Sequence, residues 1–224
     1  MGEVIGDLLP SAIGVALSPV PIIAVILMLG TLRARATGPA FAAGWVLGLT
    51  LVSVVVLLIT GDADDVDSGT STAVDVIKLA IGVLFLLLAL KQWQGRPRPG
   101  LAPAEPKWMA AVDGITAGRS LVLGTALSGA NPKNLALTLA AAASIAQGGL
   151  DAGGDAVSIG VFVVLGSLSV AGPVVFYMLA GERAAKPLST IKDFMAAHNA
   201  VIMMVVLLVL AAKLLGAGIA GLSD

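Results

Sequence analysis

Two short runs interrupt otherwise apolar sequence and carry the groups able to bind or react: Ser18-Pro19-Val20-Pro21 and Ser128-Gly129-Ala130-Asn131-Pro132-Lys133-Asn134. Proline inside a helix removes a backbone donor and clashes with the preceding turn, whereas at the first helical position it costs nothing. Ser or Asn immediately before it is a favoured N-cap. Ser18-Pro19 and Asn131-Pro132 therefore each predict a helix that stops and restarts. Half-helix N-termini of this kind direct free N–H groups and a positive dipole end toward anionic or carbonyl-bearing groups. Lys133 lies in the second run, where a cation at membrane depth costs about 2.5–3.5 kcal/mol. A helix N-terminus is also the wrong end for a cation. An anionic ligand, a water-filled cavity or loss of the proton would each compensate, and the residues do not choose among them. Ser18, Pro19, Pro21, Ser128, Asn131, Pro132, Lys133 and Asn134 are the candidate substrate-binding residues.

Other chemistries lack carriers. There is no cysteine and a single histidine, His198, so disulfides, thiolate metal sites and dithiol electron transfer are excluded and no metal site is expected. Ser18 or Ser128 as a nucleophile would need a base, and His198 falls at a predicted membrane face, out of reach. No phosphate-binding Walker pattern is present, and no carboxylate lies deep in an apolar stretch to relay protons or sodium. Neither an enzyme nor a resident cofactor is expected, and no nucleic-acid partner. Lys78 and Lys213, near the outer ends of their stretches, read as snorkelling anchors. Asn199 reads as the cap of the last span. Gly172-Pro173 predicts a kink that serves packing. Gly44, Gly48 and Gly82 suit close helix contacts.

The elements that must hold these residues follow from composition. Of 224 residues, 58% are hydrophobic and 12% charged, with a mean hydropathy of +1.00. A helix needs ~20 apolar residues to cross a bilayer, and soluble domains carry nearer ~25% charge. Six apolar stretches stand out, at 8–32, 40–60, 74–93, 115–146, 157–180 and 200–221. Their Val, Leu, Ile and Ala content predicts helices, because lipid forces backbone groups to be satisfied internally. The fourth stretch, at about thirty residues, is too long for one straight crossing at ~1.5 Å per residue, so a broken or re-entrant element fits it better.

The connections alternate in sign. Arg33, Arg35, Lys91, Arg96, Arg98, Lys107, Arg119, Arg183, Lys186 and Lys192, ten of the thirteen basic residues, fall on one side. The other side holds Asp62, Asp64, Asp65, Asp67, Asp151 and Asp155 with no Lys or Arg. The positive-inside rule makes the basic side cytoplasmic, giving a multi-pass protein of the inner (plasma) membrane with both termini outside. Glu3 and Asp7, with no basic residue, argue against a cleaved signal peptide at the start. Trp93 and Trp108 border the third connection, as interfacial aromatics do. That connection contains Pro97, Pro99, Pro103 and Pro106 and reads as a stiff linker. The expected organisation is a three-helix repeat over 1–93, a cytoplasmic Pro-rich linker over 94–114, and a second three-helix repeat over 115–224. An odd number of spans per half inverts the second half relative to the first. The two halves also share a local match, Gly14-Val15-Ala16-Leu17-Ser18 against Gly124-Thr125-Ala126-Leu127-Ser128. The predicted fold is an all-α integral membrane protein of six transmembrane helices in two inverted-topology repeats, with the first helix of each half broken or re-entrant.

Six spans in two inverted halves, the proline break in the first span, and Asn131-Pro132-Lys133 in the fourth together resemble the LysE superfamily of exporters, which carries a comparable Asn-Pro-Lys element. The run Leu8-Leu9-Pro10-Ser11-Ala12-Ile13-Gly14-Val15-Ala16-Leu17-Ser18-Pro19-Val20-Pro21-Ile22 is more similar to the GAP or Sap branch. So is the closing stretch from Asn199 to Lys213-Leu214-Leu215-Gly216-Ala217-Gly218-Ile219. These are the glycolipid- and sulfolipid-addressing proteins of mycobacteria, and the Ala/Gly/Val/Asp-rich composition fits an actinobacterium. The resemblance implies export of lipid-linked or amphipathic, glycolipid-type cargo to the cell surface by alternating access around a midplane site. Expected partners are a lipid or glycolipid substrate, membrane lipids, and either a homodimer mate or separate lipid export machinery. LysE-type relatives imply amino acids or other small solutes instead, and a non-transporting assembly factor for a separate lipid export pump is a third reading.

Overall fold

The computed structural model describes residues 1–61, 69–96, 112 and 114–223, and the elements among them are helical. In chain order these are α1 (Gly2–Ala16), α2 (Pro19–Leu29), α3 (Ala34–Gly61), α4 (Gly69–Gln94), α5 (Ala117–Gly129), α6 (Pro132–Gln147), α7 (Ala152–Ala180) and α8 (Ala185–Ser223). The first apolar stretch is α1 and α2, bent by 52° at their break. The fourth is α5 and α6, divided at Ala130-Asn131. Both divisions fall where the prolines were expected to place them, with Pro19 opening α2 and Pro132 opening α6. The acidic residues 62–67 and nearly all of the Pro-rich connection, Trp108 included, lie outside the described residues, as does the Lys78 side chain.

Two continuous helical stretches among the described residues are long and apolar enough to cross a membrane, Ala34–Ile59 and Ala152–Leu222. The bent pair of α1 and α2 makes a third when taken as one span. The second stretch holds two helices, because α7 closes at Gly181, whose φ of 57° lies in the left-handed region that favours glycine. A 3₁₀ turn over Gly181–Ala184 then leads into α8. The apolar character of the helices goes all round: α7 buries Phe162 and Val170 yet presents Val164, Leu168, Val175 and Leu179 outward, Leu179 at 83% exposure. Exposed Leu and Val recur along α3, α4 and α8. Helices apolar on both faces belong to a hydrocarbon surrounding, and so large an apolar surface would not persist in water.

Cα neighbours divide the chain into two compact units, Met1–Thr60 with Pro103–Ala197, and Gly61–Ala102 with His198–Asp224. In the first, α1 packs on α6 and α7, and α2 packs on α7. Its core includes Leu8 and Val15 of α1, Val25 and Met28 of α2, and Phe41, Trp45 and Leu49 of α3, with Leu137 and Phe162 from α6 and α7. Trp45 donates its indole N–H to Gly166 O at 3.2 Å, tying α3 to α7. A Cβ on Gly44 would collide with the Leu121 backbone, and one on Gly124 with the Phe41 carbonyl, so α3 and α5 touch backbone to backbone. Gly44 and Gly48 thus serve the close contact expected of them. Asp151 caps α7 by accepting from Gly154 N at 2.8 Å.

The second unit pairs α4 with the C-terminal part of α8. A Cβ on Gly82 would come within 2.8 Å of Leu215 Cγ, again a close helix contact at an expected glycine. Arg96 lies over the Trp93 ring at 3.6 Å, a cation–π contact suited to a membrane interface. Lys213 is exposed. Asn199 corrects an expectation: it caps nothing, because α8 begins fourteen residues earlier at Ala185 and runs through it. Pro187, in the first turn where no intrahelical N–H is required, is the sequence feature that marks the true start. Likewise α7 continues through Pro173 without interruption.

Candidate functional site

The prolines of the first break create unpaired acceptors. In a continuous helix Val15 O and Leu17 O would receive the N–H groups four residues on, but those positions are Pro19 and Pro21, which have none. Each carbonyl takes a side-chain donor instead. Ser18 Oγ donates to Val15 O at 2.7 Å. Lys133 Nζ reaches Leu17 O at 3.4 Å, Gly14 O at 2.8 Å and Ser18 Oγ at 2.7 Å. An ammonium has three donors, and three acceptors surround this one. Lys133 is buried, with 8% exposure.

This geometry gives the partners of the buried Lys133 amine. Among the described residues no carboxylate lies within salt-bridge distance of Lys133. The C-terminal carbonyls of α1 face it instead, carrying the negative end of that helix dipole. Lys133 sits at the second position of α6, the unfavourable end of its own helix, and its side chain spans to the favourable end of another. The electrostatic penalty of the first placement is offset by the second.

The second break is built differently. Asn131 Oδ1 accepts from Lys133 N at 3.1 Å, so Asn131 caps α6 as predicted. Asn134, fully buried, donates through Nδ2 to Leu127 O at 3.0 Å, supplying a last-turn carbonyl of α5. Its Oδ1 lies 3.1 Å from Ser18 Oγ. Ser18 has one proton, so Val15 O and Asn134 Oδ1 share it or take it in turn. Thr138 Oγ1 donates to Asn134 O at 2.8 Å and closes the network one turn further on.

The candidate residues therefore separate. Ser18, Asn131, Lys133 and Asn134 are brought together, and Pro19 and Pro21 stand buried at the start of α2. Pro132 opens α6 on an exposed position. Ser128 stays apart: its hydroxyl turns back to Thr125 O at 3.1 Å and faces Gly48 of α3. Ser18 occupies an N-cap position but makes no capping bond. With proline at the first and third helical positions few donors remain to be capped, and the hydroxyl is engaged elsewhere. The groups that side-chain reasoning missed are the carbonyls of Gly14, Val15 and Leu17. Prolines four residues after Val15 and Leu17 were the signal that could have found two of them.

Ser18 and Lys133 stand at the distance of a nucleophile and its base. The Ser18 hydroxyl is instead directed to Val15 O at 2.7 Å. No group of three His, Cys, Asp or Glu residues able to hold a metal ion occurs among the described residues. What the site offers is a buried lysine amine held where one broken helix meets another inside an apolar fold. No curated protein and no solved structure matches the chain. A family model described as Sap, sulfolipid-1-addressing protein (SfLAP), matches residues 8–220, nearly the whole length. The chain thus belongs to the sulfolipid-1-addressing protein family, and is a non-catalytic membrane protein homologous to lipid-addressing proteins and helical throughout its described elements.

Proposed function

We propose that this protein exports lipid-linked or amphipathic, glycolipid-type cargo to the cell surface, with Lys133 as the group that receives its polar head. The observation that carries this reading is the coordination of Lys133 Nζ by Gly14 O and Ser18 Oγ, which joins α6 to the break between α1 and α2. An anionic headgroup makes shorter and stronger hydrogen bonds to an ammonium than neutral carbonyls do, so it can displace them. Displacement would unfasten α6 from the end of α1, and the two halves would then rock about the vacated site. That is alternating access around a midplane site.

The same reading includes six spans in two inverted three-helix repeats, 1–93 and 115–224, with both termini outside. Helix lengths support it. α1 has 15 residues before its break and α5 has 13, so each break lies ~20 Å along its helix. If α1 enters from outside and α5 from the cytoplasm, both breaks reach the middle of a ~30 Å hydrocarbon layer. α7 and α8 have 29 and 39 residues, each more than the ~20 a crossing needs.

The test is reconstitution into liposomes with a labelled anionic glycolipid in one arm and a labelled basic amino acid in the other. Wild type is expected to move the lipid, and Lys133→Ala to lose that movement while still reconstituting at normal yield. Movement of the amino acid alone would make the protein a small-solute exporter of the LysE type. Lipid movement unchanged in Lys133→Ala would remove Lys133 from the mechanism.

A further inference from the structure

The buried hydroxyls of this fold behave in two ways. Those of Thr37, Ser120, Ser128 and Thr138 turn back to a carbonyl about one turn earlier in the chain, the common outcome for a hydroxyl in an apolar helix. Ser53 of α3 and Ser158 of α7 are fully buried too, yet their Oγ atoms have no partner among the described residues. Asp155, one turn before Ser158, is half-buried, and its Oδ1 is in the same condition. An unsatisfied buried oxygen is costly, and alanine would fill either serine position without that cost.

Helix geometry brings these atoms to one place. On α3, Phe41, Trp45, Leu49 and Ser53 recur every fourth residue and all are buried, so they form one stripe. The corresponding stripe on α7 is Ser158, Phe162, Gly166 and Val170. The two meet at Gly166, whose carbonyl takes the Trp45 indole and where a Cβ would stand 3.4 Å from Leu49 Cδ1. The same Cβ would stand 3.2 Å from Val15 Cγ1 of α1, so three helices converge on one missing side chain.

Direction follows from the connections. Gly14 lies against Leu137 and Gly148 against Val4, so α1 and α6 are antiparallel. Short connections at 30–33 and 148–151 turn the chain back into α3 and into α7. α7 therefore runs with α1, and α3 runs against both. Past Gly166 the stripes continue together, to Ser53 on α3 and to Ser158 and Asp155 near the start of α7. At the other end stands the lysine site, where Val15 O accepts from Ser18 and Gly14 O from Lys133. Phe162, fully buried, closes the line between Gly166 and Ser158.

We infer that the outer halves of α3 and α7 line a closed passage by which the hydroxyl-bearing head of the cargo leaves Lys133 for the outer face. This rests on the reading of the protein as an exporter whose α7 enters from outside, and it adds an exit route to the headgroup site. When α3 and α7 part, Ser53, Ser158 and Asp155 gain as partners water and the sugar hydroxyls of the passing head, which both donate and accept. Hydrocarbon would satisfy none of them. Their cost falls on the closed form, so removing the two serine hydroxyls stabilises it and holds the passage shut.

The chain has no cysteine, so single cysteines report on opening. In proteoliposomes containing labelled anionic glycolipid, a membrane-impermeant methanethiosulfonate reagent is added to Ser53→Cys, to Ser158→Cys and to Ile145→Cys. Ile145 is as buried as the two serines and lies in the last turn of α6. The serine positions are expected to react at least tenfold faster than position 145. Combining Ser53→Ala with Ser158→Ala should slow lipid movement at least tenfold while raising the midpoint of thermal unfolding in detergent. Reaction at both serine positions no faster than at 145 would overturn the inference. So would unchanged lipid movement in the alanine pair, or a midpoint that does not rise. Fast reaction at both serine positions in a protein that moves no lipid would sink the export reading and leave the passage standing.

Discussion

Lys133 illustrates how a cation is kept inside an apolar protein without an acid to pair with. Its partners are two backbone carbonyls and a hydroxyl, and one of them, Leu17 O, is left without a helical donor because Pro21 has no N–H. Asn134 plays the matching part for α5, joining Leu127 O on one side and Ser18 Oγ on the other. Replacing Asn134 by Leu keeps the volume and removes both bonds, leaving a buried carbonyl without its donor. The expected loss is about 1–3 kcal/mol, read as a lowered midpoint of thermal unfolding in detergent. An unchanged midpoint would show that the network contributes nothing to the fold. The presence of a cation in this run was legible from the residue types. Its acceptors were not, since a carbonyl belongs to every residue and carries no mark in the sequence.

The broken helices are the elements on which the site depends. Restoring N–H groups with Pro19→Ala and Pro21→Ala gives Val15 O and Leu17 O ordinary helical partners and favours continuing α1 into α2. Proline in such a position disfavours the helix by ~3 kcal/mol, so the double variant should unfold no earlier than wild type. It should nevertheless lose lipid movement as Lys133→Ala does, because Lys133 no longer meets a frayed helix end. Transport at the wild-type rate would show that the break is incidental to function. Break positions were readable because proline acts locally. The continuity of α8 through Asn199 was misread for the complementary reason: Asn is a good cap only where a helix begins, and Pro187 had already begun it.

Across the molecule, the sign of each connection predicts which ends of α7 face outward. The chain has no cysteine, so single cysteines report without background. Ala152→Cys and Glu182→Cys bracket α7 at exposed positions. On intact cells a membrane-impermeant maleimide should label the first and reach the second only after permeabilisation. The reverse pattern would invert the topology, and labelling of both would show that α7 does not cross. Charge predicts this orientation because translocating Lys and Arg is costly during insertion. The compact units are not legible in that way. They combine segments from both ends of the chain, Met1–Thr60 with Pro103–Ala197 and Gly61–Ala102 with His198–Asp224, because apolar helices in a bilayer choose neighbours by shape rather than by order.

That the chain is helical and apolar, where its first and fourth stretches divide, and that a lysine and two asparagines gather at one division are all written in the residues. Each is a local property, set by side-chain chemistry and proline geometry within a few residues. Folding alone brings Lys133 to α1, joins Ser18 to it while leaving Ser128 apart, and sets α3 against α5 at glycines 44, 48 and 124. Those outcomes depend on which helices meet, and packing fixes that through contacts between residues far apart in the chain, 81 positions for Gly44 and Thr125 and 119 for Gly14 and Lys133.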